Sequence, residues 1–293
     1  MGELMSYAPV KPEVHHPPLK VADDTWLIQQ MQEAAIGPLW VYLHSLVIKG
    51  KEPIIVDTGT PANREQWLAD VFSIVDPGDV RWIFLSHDDV DHSGNLEQVM
   101  EACPNAKLVT TWFMIERHTG AFNFPLERCV WINDGDSFSA GDRTLHAIIP
   151  PLFDSPTTRG LYDDRTGTYW AVDTFALPLP GPMNDITGLP VEAWQGGMEM
   201  FNCMNSPWFK LLDPAKFERH VDRTQKLDIE TIASCHSPVV PRSHVDAAFN
   251  MIRRIPHLEP PPQPQQGDLD ELMHCIATGK QYVWEPAPPP NGS

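Results

Sequence analysis

The stretch SHDDVDHSGN, residues 86–95, places three carboxylates between two histidines directly after the apolar run Arg81-Trp82-Ile83-Phe84-Leu85. A run of that length and composition reads as a buried strand. Ser93 to Ala102 fits a helix, with Ser93 or Asn95 as its cap. Asp, Ser, Gly and Asn are also ordinary turn formers. The stretch therefore reads as a strand-to-helix loop, a common place for ligands in α/β folds.

Outward from that loop the pattern continues. VYLHSLVIKG (41–50) and EPIIVDTG (52–59) read as two paired strands. REQWLADVFSIV (64–75) reads as a helix with Trp67, Leu68, Val71, Phe72 and Val75 on one face. KLVTT (107–111) and VWI (130–132) are short strands, and DGDSFSAGDRTLHAII (134–149) holds strands between two turn signals. TGTYWAVDTFA (166–176) is a strand ending at an acid, and ETIASCHSP (230–238) one ending at a histidine. Between them DPAKFERHVDRTQKL (213–227) is a helix capped by Asp213 with Pro214 in its first turn. Residues 192–209, EAWQGGMEMFNCMNSPWF, are dense in Trp, Met and Phe. They read either as core or subunit interface, hence a homodimer, or as a lid over a site.

Prolines mark the limits of this unit. Pro9, Pro12, Pro17 and Pro18 give residues 1–20 the character of an extended arm, and 21–255 read as one α/β domain. Residues 256–293 form a Pro-rich extension with a short helix and a disordered tail around Pro286 and Pro288–Pro290.

The formal net charge is −18, from 39 acidic against 21 basic side chains, which argues against nucleic acid and against an anionic membrane surface as partner. No run approaches the roughly 18 apolar residues of a membrane span. The first residues lack the order of a secretory signal. Cys103, Cys129, Cys203, Cys235 and Cys275 form no CxxC pair, which suits reduced thiols in a cytoplasmic protein. Cys235 reads as a plain buried thiol.

His87, Asp89, Asp91, His92, Asp154, Asp173 and His236 all fall at the ends of successive strand-like runs. Two metal ions need about this many anionic and imidazole donors. Within H-x-D-x-D-H, alternate side chains of one loop can face a common centre, and the last two positions reach a second ion.

These residues resemble the metallo-β-lactamase superfamily over roughly 21–255. The family signature H-x-H-x-D-H follows a strand and a D-T-G, here Asp57-Thr58-Gly59; DTFA after Val172 matches its bridging-aspartate strand. SCHSPVV (234–240) matches its last histidine segment, with Ser237 where glycine is commoner. The resemblance implies an αββα sandwich with a dimetal site along one edge. Two departures point to a branch. Asp89 stands at the second histidine of the signature, as a carboxylate does in the flavodiiron and oxygen-binding di-iron proteins. FDSPTTRGLY (153–162) aligns with a G-H-S-P-G-x-x-G-L-Y segment, which puts Asp154 at a ligand histidine, with His146 the rival.

The resemblance implies His87, Asp89 and Asp154 on one metal, Asp91, His92 and His236 on the other, and Asp173 between them. Asp57, His44 and Tyr162 are expected beside these ligands, with Arg159 a further candidate. Four carboxylates and three imidazoles suit iron, with manganese or zinc as alternatives. The activity implied is binding, sensing or reduction of dioxygen or nitric oxide, or oxygenase chemistry on a small molecule. Residues 256–293 leave no room for a flavodoxin module, so no flavin is expected and electrons come from a separate donor. The alternative is a dinuclear hydrolase of esters, lactones or phosphodiesters, with Asp91 moving protons.

Overall fold

The computed structural model describes residues 14–34, 39–280 and 282–283. The first thirteen residues and the prolines at 286 and 288–290 lie outside the described residues. Strands β1 (Val14–His15), β2 (Leu19–Ala22), β3 (Thr25–Ile28), β4 (Gln30–Glu33), β5 (Trp40–Tyr42), β6 (Ser45–Ile48) and β7 (Ile54–Val56) come first. They are followed by β8 (Trp82–Phe84), β9 (Lys107–Thr110) and β10 (Cys129–Trp131). One sheet has the order β10-β9-β8-β7-β6-β3-β2, and β1-β4-β5 make a small one. The second large sheet runs β11 (Ser137–Ser139), β12 (Thr144–Ile148), β13 (Gly160–Asp163), β14 (Thr168–Trp170), β15 (Thr231–Ser234) and β16 (Ser237–Pro241) in sequence order. Of the expected arm at 1–20, Val14–His15 pair with β4, and Leu19 and Lys20 open β2, which pairs with β3.

Apolar side chains sort these elements into four layers. Against the outer face of the first sheet lie α1 (Arg64–Ile74), α3 (Leu96–Ala102) and α4 (Trp112–His118), while the single turn α2 (Val90–Ser93) carries His92 at the sheet's edge. Trp67, Val71, Val99, Met100 and Met114 pack there on Ile55, Ile83 and Leu108. Between the sheets Leu27, Leu46, Val56, Phe84 and Val109 meet Leu145, Leu161, Trp170 and Ala233. On the outer face of the second sheet α5 (Val191–Asn205), α6 (Pro214–Gln225) and α7 (Arg242–Arg254) bury Trp194, Met198, Phe217, Val221, Phe249 and Ile252 on Tyr169 and Ile232. This is the αββα sandwich. Each fully buried large apolar side chain stabilises it by roughly 1.5–3 kcal/mol. The helix α8 (Gln266–Thr278) follows in the C-terminal extension.

β7, β8, β9 and β10 are parallel, as are β14 and β15. Their carboxyl ends therefore open along one edge, where Asp57, the 86–95 loop, Asp173 and His236 follow directly. Two expected strands are shorter than their patterns suggest. The first breaks at Leu43 and His44, where the chain passes from the small sheet to the large one. The other stops at Trp170, because Val172 and Phe175 take positive φ (56° and 70°) and turn the chain out of the sheet. A β-branched residue in that region is strained by about 1–3 kcal/mol. The Cys235 backbone N–H and the Ser234 hydroxyl both donate to the Val172 carbonyl and hold the turn.

Away from this edge, the buried Arg143 guanidinium joins Asp24 and Asp163, the latter at 2.7 Å. Asp163 is itself buried, so removing the cation strands a carboxylate in the interior. Arg143→Ala is expected to lower the unfolding free energy by about 3–5 kcal/mol in urea titrations. A loss under 1 kcal/mol would show that the ion pair contributes little.

Candidate metal centre

The DTG segment builds the site from below. Asp57 is fully buried at φ 59°, a conformation Asp tolerates better than most residues. Its Oδ1 accepts from the Ser86 backbone N–H at 2.7 Å and its Oδ2 from the Ser86 hydroxyl at 2.5 Å and Trp170 Nε1 at 3.1 Å. The same Oδ2 accepts from His92 Nδ1 at 2.9 Å. Thr58 donates both its backbone N–H and its hydroxyl to the His92 carbonyl. The expected helix is α3, with Asn95 at its N-cap position, and the single turn α2 precedes it. Its side chain makes no bond to the first turn: Asn95 Nδ2 donates to the carbonyls of Thr58 and Thr60, and Oδ1 accepts from Arg64 Nε.

Each histidine has its Nδ1 engaged and turns its Nε2 inward. His87 Nδ1 lies 2.8 Å from Thr158 Oγ1, and His236 Nδ1 donates to the Tyr42 carbonyl at 2.7 Å. The strand break at Leu43 and His44 is what presents that carbonyl. His87 Nε2 is 3.3 Å from Asp89 Oδ2 and 3.2 Å from Asp154 Oδ1. It is buried and has no hydrogen-bond partner. On the other side Asp91 Oδ2 stands 3.6 Å from His92 Nε2 and 3.5 Å from His236 Nε2. Asp173 faces both groups: Oδ1 is 3.1 and 3.2 Å from the Nε2 atoms of His92 and His236, and Oδ2 is 3.9 Å from that of His87.

These separations fit metal ions. Donors on one ion at bonds of about 2.0–2.2 Å sit on the order of 3 Å apart. The tautomers require a cation as well. With Nδ1–H committed to an acceptor, a neutral His92 or His236 presents a lone pair to carboxylate oxygens, and only a metal or a proton relieves that. In its absence protons take the place. His92 and His236 are held well above the ordinary imidazole range: burial opposes their charge, but Cys235 and the surrounding carboxylates outweigh it. Asp173 lies well below the usual carboxylate range, against its burial, because of those two imidazoles. Burial, and then the Asp173 charge, push Asp154 up.

All seven expected ligands converge. Asp57 hydrogen-bonds the His92 ring and so lies beside the ligand set. His44 supports the site from behind, its backbone N–H donating to the Cys235 carbonyl and its ring stacked on Tyr42 at 4.2 Å. Burial lowers its pKa to about 3, so it stays neutral. Tyr162 is not beside the ligands. Its hydroxyl donates to the Asp228 carbonyl, at the amino end of β15 and away from the metal edge. His146 is half-exposed on β12, opposite Tyr162, with Asp164 its nearest acid at 3.9 Å, which leaves Asp154 as the residue within reach. Arg159 spends its guanidinium on the carbonyls of Pro156 and Thr158.

Several further residues take part that the sequence does not single out as ligands or their supports. Asp88, the third acid of the loop, faces away from the site and accepts from Ser155, Thr157 and Arg117, fastening the loop that carries Asp154. Asn205 Nδ2 donates to Asp154 Oδ2 at 3.2 Å, and Phe201 packs against the His236 ring at 5.5 Å. Both lie at the carboxyl end of α5, whose Trp194 and Met198 are core. Residues 192–209 are thus core and site cover together. Cys235 Sγ–H donates to Asp91 Oδ2 across 3.7 Å.

A model described as ODP family beta lactamase matches residues 42–237. The chain belongs to that family. Among curated proteins it is 23% identical over 199 residues to putative diflavin flavoprotein A 1 of Nostoc, covering 67% of this chain and 33% of that one. It is 28% identical over 212 residues to flavo-diiron protein FprA2 of Clostridium acetobutylicum, covering 70% and 51%. The chain thus spans about a third to a half of these relatives. Among solved structures it resembles the rubredoxin oxygen:oxidoreductase of Desulfovibrio gigas, with TM-score 0.70, 15% identity, and 84% of this chain and 62% of that chain covered. That likeness establishes the metallo-β-lactamase fold. No helix among the described residues is long and apolar enough to cross a membrane.

Asp57→Asn removes one anionic acceptor from behind His92, and metal affinity is expected to fall about 10–100-fold in chelator competition; unchanged affinity would remove Asp57 from the metal's support. Asp154→Ala should empty the position shared with His87 and Asp89, whereas His146→Ala should keep both metals by elemental analysis. The reverse outcome would transfer the ligand role to His146. The raised imidazoles stabilise the metal-free fold below the ordinary histidine range and lose that contribution as pH rises through their own higher pKa. The metal-free protein should therefore weaken toward alkaline pH, and metal loading at neutral pH should release protons into a weakly buffered solution. Loading without proton release would mean the imidazoles are already neutral.

Proposed function

We propose that this chain is a non-haem di-iron protein that binds dioxygen or nitric oxide at the dimetal edge and reduces it, with electrons supplied from outside the domain. One observation carries the reading: four carboxylates and three imidazole Nε2 atoms divide into two groups of donors, with Asp173 facing both. His87, Asp89 and Asp154 would hold one ion, and Asp91, His92 and His236 the other. Hard, oxygen-rich sites suit iron or manganese better than zinc. Two ferrous ions held there would supply reducing electrons and open positions for a diatomic ligand. The flavodiiron names of the relatives support the same chemistry.

The protein's own groups prepare that site. Asp57, Thr158 and the Tyr42 carbonyl fix the rings by their Nδ1 atoms, so each Nε2 is oriented before a ligand arrives. Phe201 packs on the His236 ring and His92 is fully buried, so protein closes the inner side. Asp89 is more than half exposed at its side chain and Asp154 partly so, which leaves the approach from solvent on their side. Asp91 stands among the donors as a ligand does.

Anaerobic protein reconstituted with ferrous iron should retain two equivalents and consume O₂ or NO when a chemical reductant is supplied. Asp173→Ala or His92→Ala should cut that consumption at least about tenfold, since outer partners alone are worth 10–100-fold in metal affinity or activity. Two equivalents of zinc that iron cannot replace, or uptake independent of iron, would contradict the reading.

A further inference from the structure

β15 and β16 form a hairpin in which Ser234 pairs with Ser237, so Cys235 and His236 are the two central residues of a tight turn. Neighbours along a strand point to opposite faces, but neighbours in such a turn need not. Here both side chains reach the same place. The ligand atoms of Asp91, His92, Cys235 and His236 all lie within 4.8 Å of one another. The thiol is fully buried, 3.7 Å from Asp91 Oδ2. A second feature lies beside it: the buried His87 Nε2, outside hydrogen-bond geometry, faces the Asp89 and Asp154 carboxylates at 3.3 and 3.2 Å, and its ring lies 4.9 Å from that of His92.

We propose that Cys235 is a metal ligand, supplying a thiolate to the position held by Asp91, His92 and His236. The inference rests on the dimetal reading above and adds a donor to it. On coordination the Sγ–H bond breaks, its proton leaves to the buffer, and the sulfur lone pair forms the metal bond. Asp91 Oδ2, which accepts from the thiol in the metal-free protein, is released to the same ion. The two positions then differ in kind. The His87, Asp89 and Asp154 position has one imidazole and oxygen donors, whereas its neighbour has sulfur, nitrogen and oxygen. Softer donors retain zinc or cobalt in competition with iron, so the second position is the more tenacious and the less selective for iron.

Cobalt(II) alone tests this, because thiolate coordination adds intense near-ultraviolet charge-transfer absorption that nitrogen and oxygen donors do not. The full chain, freed of metal and titrated with Co²⁺, is expected to bind two equivalents and develop that absorption to the extent of one thiolate. Cys235→Ser should lose the band while keeping visible cobalt absorption, and a variant with Ala at Cys103, Cys129, Cys203 and Cys275 should keep it. Two bound equivalents with no such band in the unaltered protein would overturn the cysteine assignment and leave the dimetal reading standing. Failure to bind cobalt at all would overturn both.

Discussion

The structure depends on how two buried imidazoles are constrained. His92 gives its Nδ1–H to Asp57 and His236 gives its own to the Tyr42 carbonyl, and both then turn Nε2 toward Asp173 and Asp91. Left neutral, that arrangement sets lone pairs against carboxylate oxygens inside a low-dielectric interior. It holds together only with positive charge between them. The rest of the site is a means of making that charge a metal ion: a loop from one sheet, a turn and a hairpin from the other, and a helix end that covers them.

The sandwich meets this requirement through direction. Parallel strands in both sheets end along one edge, so residues far apart in sequence arrive there without long loops. The cost appears as backbone strain at Val172, compensated by hydrogen bonds from the very hairpin that carries His236. Asp88 shows the same economy on the opposite flank, where a carboxylate that binds no metal ties the His87 loop to the Asp154 loop. Positioning and ligation are thereby divided among neighbouring acids of one short motif.

Much of this was legible in the sequence because the ligands are local in character. H-x-D-x-D-H follows an apolar strand, and Asp173 and His236 end strand-like runs of their own. The apolar patterns give one α/β unit, and the resemblance that these motifs carry implies its four layers. What could not be read depends on register and on tertiary approach. Tyr162 was expected near the ligands, yet its strand pairing sends its hydroxyl to Asp228. Asn205, Thr158 and the Tyr42 carbonyl are ordinary groups whose roles exist only once distant elements meet. Cys235 reads as a core thiol because free cysteines are usually buried, and only the tight turn sets its sulfur near the ligand atoms of Asp91, His92 and His236.

Anomalous X-ray diffraction at the iron edge, from crystals of protein reconstituted anaerobically with ferrous iron, tests the central claim most directly. The account predicts two anomalous peaks per chain, one beside His87, Asp89 and Asp154 and the other beside Asp91, His92 and His236, with Asp173 between them. A single peak, a peak at His146, or unoccupied donors in iron-replete crystals would contradict it.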